Sequence, residues 1–180
     1  MRTKLLTLII LLTGLNCYSQ LDGYKKLTKG QCKINHKCNT EYKYDDFDEI
    51  WHYNTSFTDN ALSKDGLSYI ISKTVDKKNN KQQIELMLWG NSKGCRTKES
   101  YVHIQFKNGE KIKISNAYTD IDCGISMISI KIDDYIDLLQ KEPIEKIRIF
   151  LDGNEDFIIS EKEQVKFFNN LKCIKNIDIS

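Results

Sequence analysis

The densest group of potential ligand atoms is Cys32-Lys33-Ile34-Asn35-His36-Lys37-Cys38, two thiolates and an imidazole within seven residues. Zinc takes such soft donors, but the spacing matches no regular zinc pattern and no fourth ligand stands near. Oxidation would instead join Cys32 to Cys38 in a local loop. A second group, Asp152, Asn154, Asp156, Ser160 and Glu163, falls on positions 1, 3, 5, 9 and 12 of an EF-hand calcium loop, with Ile159 at the apolar eighth. Phe157, however, stands where that loop needs a glycine, and the residues before it alternate like a strand. A hairpin running into a helix cap accounts for the same residues without an ion. The third group is aromatic and acidic: Tyr42, Tyr44, Trp51 and Tyr53 interleave with Asp45, Asp46 and Asp48. Aromatic faces beside carboxylates suit a sugar or a cationic peptide. In the alternative reading Phe47, Ile50 or Trp51 of a first strand enter the core and the acids stay solvated.

Other chemistry finds little support. There is no His-Glu-x-x-His, phosphate-binding glycine loop, dinucleotide fingerprint or Cys-x-x-Cys. His36, His52 and His103 are far apart in sequence, and His103 falls on a hairpin strand opposite Lys113, as on a solvated face. No cofactor is implied. An enzyme would have to work with scattered carboxylates such as Asp45, Asp46 and Asp48, in the manner of a hydrolase of envelope polymers.

Residues 1–19 read as an export signal: Arg2 and Lys4, then apolar Leu5 to Leu12, then Cys17-Tyr18-Ser19 as a small-x-small cleavage site before Gln20. The apolar core is shorter than the roughly 20 residues of a membrane span. Lipidation at Cys17 is the weaker alternative, because Asn16 and Leu15 precede it where a lipoprotein signal places small residues. The expected location is secreted or periplasmic, with no transmembrane segment after the signal is removed. Removing 1–19 takes away two basic residues and no acid, leaving 25 basic against 25 acidic side chains. The overall positive footprint of a nucleic-acid binder is therefore missing. The expected partner is an unidentified protein or envelope component.

Five cysteines remain after the signal, and an exporting compartment favours disulfides. Cys95 with Cys123 and Cys32 with Cys38 are the expected pairs, leaving Cys173 as a free thiol beneath the last helix.

The body is expected as strands separated by turn chemistry. Residues 20–46 read as an irregular arm or loop and 47–180 as a β-rich globular domain. Asp76 to Lys81 would connect a hairpin of Ser68–Val75 and Gln82–Trp89. At Asn108-Gly109, a three-residue loop with Gly109 left-handed opposes Ile104 to Ile112 and Val102 to Ile114, where a two-residue turn would mix apolar and charged side chains. By the same rule, Asp152-Gly153-Asn154 opposes Ile149 to Phe157 and Ile147 to Ile159, with Phe150 and Ile158 covered on the other face. Asp133 is placed as the cap of a helix over Asp134–Gln140. Ser160-Glu161-Lys162-Glu163 is a capping box opening a helix with Val165, Phe168 and Leu171 on one stripe. The resulting class is α+β, a single antiparallel-sheet-dominated, sandwich-like domain with a C-terminal helix.

The strand Ile144-Glu145-Lys146-Ile147-Arg148-Ile149-Phe150, its turn and partner strand, and a helix ending Leu171-Lys172-Cys173-Ile174 resemble the C-terminal pattern of small uncharacterised exported proteins of Bacteroidetes. The resemblance runs from Gln83 onward. It implies export and a β-rich domain, and brings no catalytic residues. Three functions follow as expectations: a non-catalytic binding or structural domain of the cell envelope, an envelope-polymer hydrolase, or a calcium-stabilised structural module.

Overall fold

The structure, a computed structural model, describes residues 25–26, 40–55 and 61–177. The expected signal at 1–19, Cys17, and the Cys32, His36, Cys38 group lie outside these residues.

The described residues form ten strands, most of them with apolar and polar side chains in alternation: β1 Lys25–Lys26, β2 Thr40–Asp45, β3 Ile50–Thr55, β4 Ser68–Asp76, β5 Lys81–Arg96, β6 Tyr101–Phe106, β7 Lys111–Ser115, β8 Asp122–Lys131, β9 Ile144–Phe150 and β10 Asn154–Ile158. A 3₁₀ turn, Asp133–Tyr135, leads into a short helix, Ile136–Lys141, and a long helix, Glu161–Lys175, closes the chain. The strands form two sheets, a large one ordered β1-β2-β3-β4-β5-β8 and a small one ordered β10-β9-β6-β7. Every pairing is antiparallel. The class is the α+β, antiparallel-sheet-dominated one expected.

One apolar core joins the layers. Tyr69, Ile71, Leu86, Leu88, Ile128 and Ile130 of the large sheet, Val102, Ile104, Phe106, Ile147 and Ile149 of the small one, and Phe167, Leu171 and Ile174 of the long helix belong to a single buried cluster. Such a shared face leaves each sheet one side for polar residues. The helix is fixed at both ends. Ser160 Oγ accepts from the Glu163 amide, and Lys73 Nζ donates to the Ile177 carbonyl at 3.1 Å, a cation where the helix dipole is negative.

The β6–β7 hairpin has the expected register. Val102 opposes Ile114 and Ile104 opposes Ile112, and Gly109 has φ 88°. The β4–β5 hairpin also forms as expected, with Asp76 opposite Lys81.

Other expectations are corrected. In the β9–β10 hairpin, Phe157 opposes Ile147 and Asn154 opposes Phe150, so the loop is Leu151-Asp152-Gly153 and Asn154 belongs to the strand. A slip of two residues keeps every side chain on its own face, so apolar patterning cannot distinguish the two registers. What favours the observed one is Leu151, which is buried in the loop against the core. β10 is an edge strand and Ile158 is exposed, not covered. The expected arm 20–46 includes β2, because Thr40–Asp45 pairs with β3 along its whole length. Asp133 does not cap a helix. Its carboxylate accepts from the Ile84 amide at 3.0 Å, so it ties the 3₁₀ turn to β5. On the long helix the buried stripe is Gln164, Phe167, Leu171 and Ile174, while Val165 is 60 % exposed.

Candidate functional site

The four expected aromatic residues do come together. Tyr42 opposes Tyr53 and Tyr44 opposes Trp51 across β2 and β3. Ring centroids are 4.5 Å apart for Tyr44 and Trp51, and 5.8 to 6.2 Å for the other neighbouring rings. The ladder descends into the protein. Tyr44 is 38 % exposed, Tyr42 and Trp51 are half-buried, and Tyr53 is 4 % exposed, where burial first and Tyr42 second raise its hydroxyl pKa to about 12. The ladder is therefore mainly a packing device that anchors the hairpin, since cross-strand aromatic pairs stabilise a sheet. Phe47 does not enter the core. It stands 96 % exposed at the hairpin turn.

Asp45, Asp46 and Asp48 occupy that same turn rather than a cleft. Asp45 is committed to the turn itself, its Oδ1 accepting from the Phe47 and Asp48 amides at 3.0 and 3.3 Å. The calcium set is not assembled. Asn154 and Asp156 lie along β10, Ser160 caps the helix and Glu163 is in its first turn. Asp156 is already held by Arg148 through two hydrogen bonds, one of 2.7 Å, and by Lys146 at 3.6 Å.

Cys95 and Cys123 form the expected disulfide and are directly opposed across β5 and β8. Register shifts between Trp89 and Cys95 bring them opposite each other, the irregularity that the pairing required. Cys173, expected as a free thiol, is disulfide-bonded. With Cys95 and Cys123 joined to each other, the chain's remaining cysteines are Cys17, Cys32 and Cys38, all upstream of β2. Thr40 Oγ1 lies 3.6 Å from Cys173 Sγ, so β2 begins beside that sulfur. A bond from Cys173 to Cys32 or Cys38 would exclude the expected Cys32–Cys38 bridge, which itself lies outside the described residues.

A feature that sequence reasoning missed is on the outer face of the small sheet. His103 sits on β6, with Lys113 of β7 opposite on one side and Arg148 of β9 on the other. These residues, with Gln105, Lys111 and Lys146, line a groove of about 410 Å³. That volume is at the small end of ligand pockets. Burial, then Lys113, Arg148 and Lys111, hold the His103 imidazole below its ordinary pKa of 6.5. Lys113 Nζ stands 3.9 Å from the centroid of the Tyr101 ring, which also meets the His103 ring at 4.7 Å and stacks on Phe150 at 4.8 Å. That aromatic surface is thus engaged, and the groove presents cations rather than open rings. Among the described residues no hydrogen bond places a carboxylate on His103, so it lacks the orienting acid of a general base. What the arrangement can do is bind negative charge.

The signal was present in two short runs. Lys111-Ile112-Lys113-Ile114 and Lys146-Ile147-Arg148-Ile149 both place cations on one strand face and isoleucines on the other. Only the order β9-β6-β7 brings the two cationic faces to either side of His103. Among the described residues no helix is long and apolar enough to cross a membrane. Comparison with protein-family models, with curated proteins and with solved structures finds no match for this chain.

Proposed function

We propose that this is a non-catalytic binding domain, exported to the cell envelope, that holds an acidic protein or envelope polymer in the groove of its small sheet. The observation that carries this reading is the convergence of Lys111, Lys113, Lys146 and Arg148 around His103, facing solvent, with Asp156 the one acid paired with these cations among the described residues. A disulfide on an antiparallel scaffold supports a place outside the cytoplasm. The export signal at 1–19 and the resemblance of the C-terminal half to small exported proteins of Bacteroidetes belong to the same proposal. The envelope-polymer hydrolase is less well supported, since Asp45, Asp46 and Asp48 share an exposed turn rather than a cleft.

The test is calorimetric titration with poly-L-glutamate, an anionic polysaccharide and neutral dextran at two salt concentrations. Binding to the anions alone, weakening with salt, is expected. The double variant Lys111→Glu, Lys113→Glu should bind about tenfold more weakly or worse, ~1.4 kcal/mol. Equal affinity for dextran, or an unaffected double variant, would overturn the reading.

A further inference from the structure

We propose that one occupant of the groove is the β2–β3 turn of a second copy of this chain, so that the protein associates head to tail. The inference rests on the groove binding anions and goes further by naming the partner.

The turn Asp45-Asp46-Phe47-Asp48-Glu49 carries four acids and no base around an aromatic side chain that is 96 % exposed. A phenylalanine so fully in water is the kind of apolar group that binding removes from solvent. Its backbone is preset: Asp45 accepts from the amides of Phe47 and Asp48, and Glu49 holds φ 55°, a left-handed conformation that non-glycine residues rarely adopt. A preorganised turn loses little entropy on docking. Among the described residues Asp46, Asp48 and Glu49 form no ion pair, and neither do Lys111 and Lys113 of the groove. The neighbouring Lys77 leans over the Trp51 ring, 6.0 Å from its centroid.

The turn belongs to the large sheet and the groove to the small one, so a docked pair leaves one free turn and one free groove. Such a heterologous contact adds further copies, as a ring where the rotation closes and as an open chain where it does not. It also accounts for a chain whose charges balance after residue 19 and yet are segregated in space.

Sedimentation of the exported protein across concentration and salt tests this. The wild type is expected to grow in mass with concentration and to dissociate as salt rises. A turn variant, Asp46→Asn with Phe47→Ala and Asp48→Asn, and a groove variant, Lys111→Glu with Lys113→Glu, should each be monomeric. All five positions are at the surface, and circular dichroism with an intact Cys95–Cys123 bond verifies folding. The turn variant keeps its groove and the groove variant keeps its turn, so mixing them should give a one-to-one dimer that grows no further. A wild type that is monomeric at low salt and high concentration overturns the proposal, as does a mixture that stays monomeric. If poly-L-glutamate still binds in either case, the anion-binding function stands and self-docking alone falls. If neither occurs, both fall.

Discussion

His103 shows how a residue's surroundings set its use. Burial first, and then the three cations around it, make the His103 imidazole a poorer proton acceptor in the folded domain than in the unfolded chain. The folded state then binds fewer protons below pH 6.5, the ordinary value, so the stability linked to His103 is complete above 6.5 and is lost as pH falls through the lowered folded value. An anion in the groove reverses the local field. Its binding should therefore take up a proton and tighten as pH falls into the range where His103 protonates, and His103→Gln should flatten that pH profile while leaving the salt dependence. Titration of affinity between pH 7.5 and 5.5, with the imidazole followed by NMR, reads both effects. Asp156 acts in the opposite sense. Its carboxyl is held below the usual range, first by the hydrogen bonds from Arg148, and it neutralises part of the groove. Asp156→Asn should tighten poly-L-glutamate binding about two- to threefold, since an exposed ion pair is worth little and its loss frees Arg148. A weaker affinity in that variant would mean that Asp156 positions Arg148 more than it screens it. None of this was legible from composition, because balanced totals conceal segregated charges.

At the scale of elements, legibility followed what each register changes. The Gly109 hairpin could be read because the competing turn would have moved isoleucines onto the lysine face. The hairpin after Phe150 could not, because its two registers differ by an even slip. The observed one is held by contacts distant in sequence. Glu155 of β10 accepts from the amides of Asn91 and Ser92 at 3.1 Å, in the irregular middle of β5. At Gly94 the chains approach so closely that a Cβ would lie 2.9 Å from the Leu151 Cβ. Glu155→Ala should cost ~1.5 kcal/mol, the lower end for hydrogen bonds to a charged acceptor, read as a shift in the urea midpoint. The Cys95–Cys123 bond, whose ends are 28 positions apart, stabilises β5 against β8 by ~3.6 kcal/mol in the chain-entropy account. The double Cys→Ala variant should lose about that much, and the loss should concentrate in faster amide exchange of β8. The aromatic ladder was legible as a set of residues but not as a depth gradient, because alternation places side chains on a face and not at a distance from solvent.

The whole molecule is closed by the bond that the sequence reading left out. Cys173 lies on the buried side of the long helix, which packs on the large sheet, and its sulfur sits beside the first residue of β2. The cysteines that the Cys95–Cys123 bond leaves, Cys17, Cys32 and Cys38, all precede Thr40, so a bond to any of them would close a loop longer than the 133-position separation of Thr40 and Cys173. In the chain-entropy account a loop longer than about 100 residues is worth ~4.7 kcal/mol, more than the shorter Cys95–Cys123 loop. An odd cysteine count gave no way to choose which thiol was spare, because connectivity depends on where the N-terminal segment meets the helix. The two bonds should therefore part in order. Cys123 is exposed and Cys173 is 2 % exposed, so mild reductant should open the surface bond first while far-ultraviolet circular dichroism and anion binding persist. The Cys173 bond should yield only when the helix leaves the sheet, and its loss should coincide with cooperative unfolding. Timed alkylation with peptide mass spectrometry, run beside the spectroscopic trace, separates the two steps. Simultaneous labelling of Cys95 and Cys173 would show instead that the helix opens as readily as the surface, and that the long loop contributes little to holding the sheets together.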